Sequence, residues 1–484
     1  MYSPQTRIAP VPDAYAAPAA LPTAERPAEG LIDDCVRQLV EARLRTRAVM
    51  ASLDGEALLG PRLPIVNPPL WELGHLGWFQ ERWMLRPRGD GALAPSSLPG
   101  ADTLYDSAQV AHSLRWDLPL PSLAATWVWL DKVMALALDG LERERRRLGD
   151  HPGATTYFAQ LAARHEQMHS EAFVYSAQSL GYTAPAWVTA RCDEFAGSRP
   201  GSGAHTNGAV SGGDVEIAGG RFLLGAEPGT GFAFDNEKWA HPVSLEPYAI
   251  ARCTTRVAEY LAFVEDGGYA ERRWWSEAGW AWRGQAEASA PAYWRRLERR
   301  QGWEQRRFEQ WEALPMNQPM IHVNAHEAAA WCVWAGRRLP TEAEWEFAAA
   351  TVPGGGPDDA PGRRYPWGTT VPGPALANLW SADGAGGSSL LAAGALAAGD
   401  SAWGCRQMIG NVWEWTASQF QPYPGFVTDP YREYSEPWFG THQVLRGGCF
   451  ATAADLISNT WRNFYTPERR DVFAGFRSCA GERR

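Results

Sequence analysis

Two histidines four residues apart, His165 and His169, stand in the run Leu161-Ala-Ala-Arg-His-Glu-Gln-Met-His-Ser-Glu171, inside a stretch free of proline and glycine from Ala154 to Leu180. At helical pitch, residues four apart share one face, so both imidazoles address one point in space, as in a metal clip. Solvated or hydrogen-bonded histidines also occur at this spacing, and a third imidazole is needed. His75 supplies it from the run Trp71-Glu-Leu-Gly-His-Leu-Gly-Trp-Phe-Gln-Glu-Arg-Trp83, where it shares a helical stripe with Trp71, Phe79 and Arg82. If the two helices pack side by side, three neutral histidines meet one cation and leave coordination positions open for other ligands. Spacing does not choose the metal, because three histidines suit zinc as well as iron.

The elements that must carry these side chains follow from hydrophobic periodicity. Leu31 to Leu53, Pro68 to Leu85, Ser122 to Arg147 and Ala154 to Leu180 each show apolar recurrence at three and four, and together they predict a four-helix bundle over residues 30–195. The connection Arg86 to Pro121 is long enough to line a site. Residues 1–29, rich in Ala and Pro without apolar periodicity, predict a disordered tail. Residues 196–213, dominated by Gly and Ser, predict a flexible linker, in which His205 is a polar linker residue.

From residue 214 to 484 the texture changes to short strands, many Gly and Pro turns and much of the chain's complement of 25 tryptophans. Helices are expected only at Thr255 to Asp266, Asn324 to Gly336 and Thr341 to Ala350, the last opened by a Thr341/Glu344 capping box. No fixed-period repeat marks a propeller or solenoid. The expected class is α+β, in two domains.

Composition narrows the partners. A chain of 484 residues exceeds one ordinary core. A formal charge of -10 without any basic block disfavours nucleic acid or an anionic membrane as the main partner and points to small molecules. Seven scattered cysteines without a Cys-x-x-Cys pair fit reduced thiols in the cytoplasm. The most apolar helix, Leu123 to Leu141, is broken by Asp131 and Lys132, so no membrane span is expected, and the start of the chain lacks an export signal.

The C-terminal phrases Gly220-Arg-Phe-Leu-Leu-Gly225, Trp331 to Glu346 with its Gly-Arg-Arg-Leu-Pro-Thr-Glu core, Tyr365-Pro-Trp-Gly368, Gly410-Asn-Val-Trp-Glu-Trp415, Val444-Leu-Arg-Gly-Gly448 and Ala474-Gly-Phe-Arg477 resemble the formylglycine-generating-enzyme-like domain, a variant of the C-type lectin fold. The N-terminal half, with His75 and the His165 to Glu171 run, resembles the DinB-type four-helix bundle. In this order the two resemble the ergothioneine-type sulfoxide synthases and their relatives, ovothiol synthase and selenoneine synthase. The resemblance implies iron(II) on His75, His165 and His169, with dioxygen used to join sulfur or selenium to an imidazole carbon of hercynine, the trimethylated histidine.

Further roles come by the same resemblance. Tyr431 looks like the residue that supplies a proton or electron to the oxygen species, and Tyr434 like the one hydrogen-bonding the acceptor imidazole. Asn463 and Phe464 match the turn contacting the betaine end, where an aromatic face attracts a quaternary ammonium. Glu171 completes the motif but points to a different helix face, and is expected to pack or to support the ligands from behind, not to bind metal.

The chain departs from the pattern in its donor pocket. Where synthases using gamma-glutamylcysteine have two arginines, an aspartate and a glutamine, this chain has His112 and Arg115, Tyr465, and Met168. Charge-assisted contacts are worth about 1.5–3 kcal/mol each, so their loss favours a neutral selenosugar donor, as in selenoneine synthase, over gamma-glutamylcysteine, with free cysteine a further possible donor. Three other functions remain open. A formylglycine-generating oxidase would need a reactive pair such as Cys449 and Cys479, a DinB-type thiol transferase would use zinc or nickel, and a lectin-like module would only bind.

Overall fold

The computed structural model describes residues 30–88, 92–149, 153–189, 212–297, 302–355, 363–381, 387 and 389–481. The expected tail over 1–29 and nearly all of the expected linker over 196–213 lie outside the described residues. Contacts divide the chain into two compact units. The first comprises the described residues of Met1–Val40 and Pro61–His165, the second those of Glu41–Gly60 and Glu166–Arg484.

The helical pattern read from the sequence appears as α1 (Leu31–Met50), α2 (Pro69–Met84), α4 (Leu123–Leu148) and α5 (Ala154–Leu180), with the short α3 (Ala101–Tyr105) between α2 and α4. Local chemistry sets the ends. Pro69 opens α2, where its missing N–H costs nothing, and the Ser122 side chain accepts a hydrogen bond from the Ala125 N–H to cap α4. In the first unit Ile32, Cys35 and Leu39 of α1 pack with Met134 and Leu141 of α4 and Ala159, Ala162 and Ala163 of α5. Small alanines on α5 let the helices approach closely, and apolar burial stabilises the contact.

The connection Arg86 to Pro121, expected as a loop, carries α3 and a short 3-10 turn at His112–Leu114. Its anchor is Asp102, whose carboxylate receives hydrogen bonds from Arg86 at 2.7 and 2.9 Å and from Trp78 Nε1 at 2.7 Å. Arg86 and Trp78 hold that carboxyl below the usual carboxylate range.

The second unit contains α6 (Ala186–Thr189), α7 (Val257–Glu265), α8 (Glu277–Gln285), α9 (Ala325–Trp334) and α10 (Glu342–Ala350). The helix α8 was not expected; Ser276 caps it by accepting from the Gly279 N–H, while two glycines and two tryptophans within nine residues hide its periodicity. The expected Thr341/Glu344 capping box is present on α10.

Its strands are β1 (Asp214–Ile217), β2 (Gly220–Leu224), β3 (His241–Leu245), β4 (Tyr248–Ala251), β5 (Trp294–Arg296), β6 (Trp303–Arg307), β7 (Gln310–Ala313), β8 (Arg337–Arg338), β9 (Trp413–Gln419), β10 (Gln443–Arg446), β11 (Asn463–Tyr465), β12 (Ala474–Gly475) and β13 (Cys479–Ala480). They form sheets of order β1-β4-β13-β8, β11-β10-β9-β12, β5-β6-β7 and β2-β3. Buried ion pairs tie these elements together: Arg477 with Glu414 of β9 at 2.6 Å, Arg462 with Glu342 of α10 at 2.9 Å, and Arg446 of β10 with Glu346 of α10. Desolvation of both charges offsets much of their attraction, so such pairs add little net stability. Among the described residues no helix is long and apolar enough to cross a membrane.

Candidate metal centre

His75 sits on α2, and His165 and His169 lie one turn apart on α5. The ligand atoms of the three histidines all lie within 4.8 Å of one another. Imidazole nitrogens bound at about 2.1 Å from one cation stand no more than twice that distance apart, so small ring movements close the set. His75 and His165 are buried and His169 is partly exposed, leaving one side of the cluster accessible.

The rings are held before any ion arrives. His75 Nδ1 lies 2.8 Å from the Tyr105 carbonyl oxygen. Since a carbonyl can only accept, Nδ1 carries the proton and Nε2 keeps its lone pair for a metal. Trp71 stacks on one side of His75 with centroids 5.2 Å apart at 9°, and Trp78 lies at 5.6 Å and 22°. Phe79 lies flat against His165 at 3.6 Å and 5°. The stripe predicted from sequence for Trp71, His75 and Phe79 is therefore the wall of the cluster. Three imidazoles, one with its tautomer fixed, form a donor set suited to a divalent transition metal.

Gly74 makes the Tyr105 contact possible. A Cβ there would stand 2.2 Å from the Tyr105 ring. The Tyr105 carbonyl was not legible in the sequence, since backbone groups carry no side-chain signature. The glycine before His75 was the available clue.

Glu171 is absent from the ligand cluster. Its carboxylate receives hydrogen bonds from Trp413 Nε1 on β9 and from the Thr452 hydroxyl, each at 2.7 Å. On a neighbouring face of α5, Glu166 accepts from Arg43 at 2.7 and 3.1 Å and from Thr46 at 2.9 Å, and Gln167 donates to Asp455 at 2.8 Å. These contacts fix the rotation of α5 about its axis and so the direction of its histidines. Arg43, Thr46, Asp455 and Thr452 were all unnoticed in the sequence, and Trp413 stood out only as part of the Gly410 to Trp415 phrase.

The second unit gathers several of the expected substrate residues. The Tyr434 hydroxyl points at the Met168 sulfur at 3.7 Å. Its ring stacks on Phe234 at 4.1 Å, meets Phe464 edge-on at 5.8 Å, and lies 6.1 Å from Tyr431. Phe464, opposite Val444 in the β10/β11 pairing, stacks on Phe420 at 4.0 Å. Asn463 is turned to its own strand, accepting from the Phe464 N–H at 2.8 Å. Tyr465 lies under the Arg469 guanidinium at 5.0 Å, and burial pushes its phenol far up.

In the first unit Arg115 lies over the Trp71 ring at 3.8 Å, on the indole that stacks on His75, and donates to Asn67 at 2.6 Å. Burial lowers it to about 10, so it stays cationic at neutral pH. His112 Nε2 bonds the Val66 carbonyl at 2.7 Å, and burial lowers its pKa, so it is neutral.

The thiols Cys449 and Cys479 are both free and buried. Cys449 lies 3.4 Å from Glu171 and 3.5 Å from Thr452, whereas Cys479 sits on β13 between Ile250 and Arg338. Burial raises both thiols, the opposite of what a reactive pair needs.

Residues 204–481 match the Sulfatase-modifying factor enzyme 1-like domain and residues 38–172 the DinB superfamily. The chain is 38% identical over 458 residues to a hercynine oxygenase of Mycolicibacterium thermoresistibile, covering 92% of this chain and 94% of that protein. It is 38% identical over 444 residues to a hercynine oxygenase of Mycobacterium tuberculosis, covering 91% and 96%. A formylglycine-generating enzyme of Thermomonospora curvata is 30% identical over 299 residues, covering 56% of this chain and 94% of that one.

Proposed function

The chain belongs to the hercynine oxygenase family, and we propose that it bonds the sulfur of cysteine or gamma-glutamylcysteine to an imidazole carbon of hercynine, using dioxygen and iron(II) on His75, His165 and His169. The observation that carries this reading is the convergence of three imidazoles in a chain aligned almost end to end with hercynine oxygenases. The alignment with a formylglycine-generating enzyme spans little more than half the chain, and the match to the Sulfatase-modifying factor enzyme 1-like domain, residues 204–481, leaves out the helices bearing His75, His165 and His169, which supports an oxygenase over that oxidase.

In the overall reaction the imidazole C–H and the thiol S–H break, C–S and S–O bonds form, and the second oxygen atom leaves as water. Iron(II) supplies the one-electron chemistry that lets dioxygen react with the thiol, and imidazole ligands suit it. The protein's share is binding, orientation and proton supply. Phe464, Tyr434 and Phe234 offer aromatic faces to the trimethylammonium group, the attraction expected of a cation over a ring. Tyr434 Oη bonds the acceptor imidazole and sets which carbon faces the donor. Tyr431 Oη donates a proton during bond formation, a task suited to a phenol that is neutral at pH 7. Arg115 attracts a donor carboxylate, and Trp71 holds its guanidinium in place.

A selenosugar remains a second reading of the donor, favoured by the neutral His112 and the uncharged Tyr465. Anaerobic protein loaded with iron(II), given hercynine and one of cysteine, gamma-glutamylcysteine or a selenosugar, and then exposed to air, separates these by product mass. A thiol adduct of hercynine is expected. A selenium adduct formed in preference moves the donor assignment, and no adduct with any donor removes the function.

A further inference from the structure

Ser435 follows Tyr434 directly and is fully buried. Its hydroxyl donates to Asp235 Oδ1 at 2.5 Å and accepts from Asn236 Nδ2 at 3.0 Å. Six residues earlier the Asp429 N–H donates to the other oxygen, Asp235 Oδ2, at 3.3 Å. Lys238 adds a second tie, its ammonium reaching Asp429 at 2.6 and 2.9 Å. Phe234, the residue before Asp235, stacks on the Tyr434 ring. One short stretch, residues 234–238, thus grips both ends of the segment bearing Tyr431 and Tyr434, and Asp235 is the only side chain in it bonded to both ends among the described contacts.

We propose that Asp235 is a positioning residue: its two carboxylate oxygens clasp the ends of residues 429–435 and so determine where the Tyr431 and Tyr434 hydroxyls stand. The consequence for catalysis rests on the roles given to those tyrosines above; the clasp itself does not.

Chemistry argues for a carboxylate at this place. The clasp needs two acceptors pointing in different directions, one for a hydroxyl and one for a backbone N–H, and an ionised carboxylate supplies both. An amide supplies one acceptor and one donor, so Asn at 235 would either set its N–H against the Asp429 N–H or give it to the Ser435 oxygen and leave the buried Ser435 hydroxyl proton without its acceptor. Retaining the charge carries a cost. Burial, with the nearby Asp429 carboxylate, raises Asp235 to about 6, against the opposing pull of the Ser435 hydroxyl and the Lys238 ammonium. At neutral pH the buried ionised form is therefore kept although the neutral one would be easier to bury. Such an expense is expected where geometry serves a site.

The experiment compares wild type, Asp235→Asn and Ser435→Ala as full-length proteins by deuterium exchange at pH 7.5, without metal or substrate. In Asp235→Asn the amides of residues 429–436 are expected to exchange about tenfold faster, the loss of about one hydrogen bond, while β10 keeps its rate. Ser435→Ala is expected to loosen the Ser435 end and leave the Asp429 amide near the wild-type rate. Unchanged exchange over 429–436 in both variants overturns the clasp.

In the iron-loaded enzyme the same Asp235→Asn change is expected to raise, at least about threefold, the share of thiol oxidised without coupling to hercynine, with the thiol KM within about twofold. Faster exchange with unchanged partition would overturn the catalytic consequence. A wild-type enzyme that makes no adduct would instead overturn the proposed function and leave the exchange result standing.

Discussion

The Tyr434 hydroxyl is aimed at the sulfur of Met168, 3.7 Å away and one residue before His169. Thioether sulfur is a weak acceptor, so the phenol gives up little when a better partner arrives. Tyr434→Phe is expected to raise the KM for hercynine about tenfold, the value of one hydrogen bond of roughly 1–1.5 kcal/mol, with kcat changed less. Steady-state kinetics with varied hercynine decide it; an unchanged KM would remove Tyr434 from substrate binding.

Tyr431→Phe removes a proton source while keeping the ring. Coupling is expected to fall by about 10²-fold, the lower range for general acid catalysis, with thiol oxidation taking over. Product partition measured by mass spectrometry is the readout, and a wild-type ratio rejects the assigned role.

Gly74→Ala places a methyl 2.2 Å from the Tyr105 ring. Overpacking of this kind costs about 1–3 kcal/mol, and displacement of the Tyr105 carbonyl frees the His75 ring. Metal affinity is expected to drop about 10–100-fold, as for other lost supports of a ligand. Denaturant unfolding of metal-free protein and metal titration measure the two effects separately.

Glu171→Ala leaves the Trp413 indole N–H without its acceptor and the Thr452 hydroxyl with only the weakly accepting Cys449 sulfur. A loss of about 2–4 kcal/mol is expected from one unsatisfied and one poorly satisfied buried group, read by urea unfolding. Bound metal per chain is expected to stay at the wild-type level in protein that remains folded; a loss of stoichiometry there would make Glu171 a ligand.

His322 is buried and neutral, its pKa pushed down to about 4 by burial. The unfolded chain binds that proton near pH 6.5, so between 6.5 and 4 the unfolded state takes up more protons than the folded one. Stability from this site is complete above pH 6.5 and is lost as pH falls, by roughly 3 kcal/mol at the lower end. His322→Gln is expected to flatten that part of the curve of unfolding free energy against pH; an unaltered slope would show that another group dominates.

The long helices were legible because apolar recurrence over many residues survives in α1, α2, α4 and α5, and the Thr341/Glu344 pair announced its helix by capping chemistry. The three histidines were legible for the same reason, since helical pitch turns spacing into shared direction. What escaped notice has no periodic signature. The helix α3 is shorter than two turns and depends on the Asp102 contacts with Arg86 and Trp78. The Tyr105 carbonyl is backbone, and Gly74 matters only through what lies against it. The partners of Glu166, Gln167 and Glu171 are distant in the chain, and only tertiary structure brings Arg43, Asp455 and Trp413 to them.

The indoles of Trp71 and Trp78, 5.2 and 5.6 Å from the His75 ring, give the protein a built-in optical gauge. A paramagnetic ion seated on His75 would lie close enough to both to darken their emission. Loading of the centre is thus expected to dim the share of emission that these two of the chain's 25 tryptophans contribute, with no added dye and no turnover.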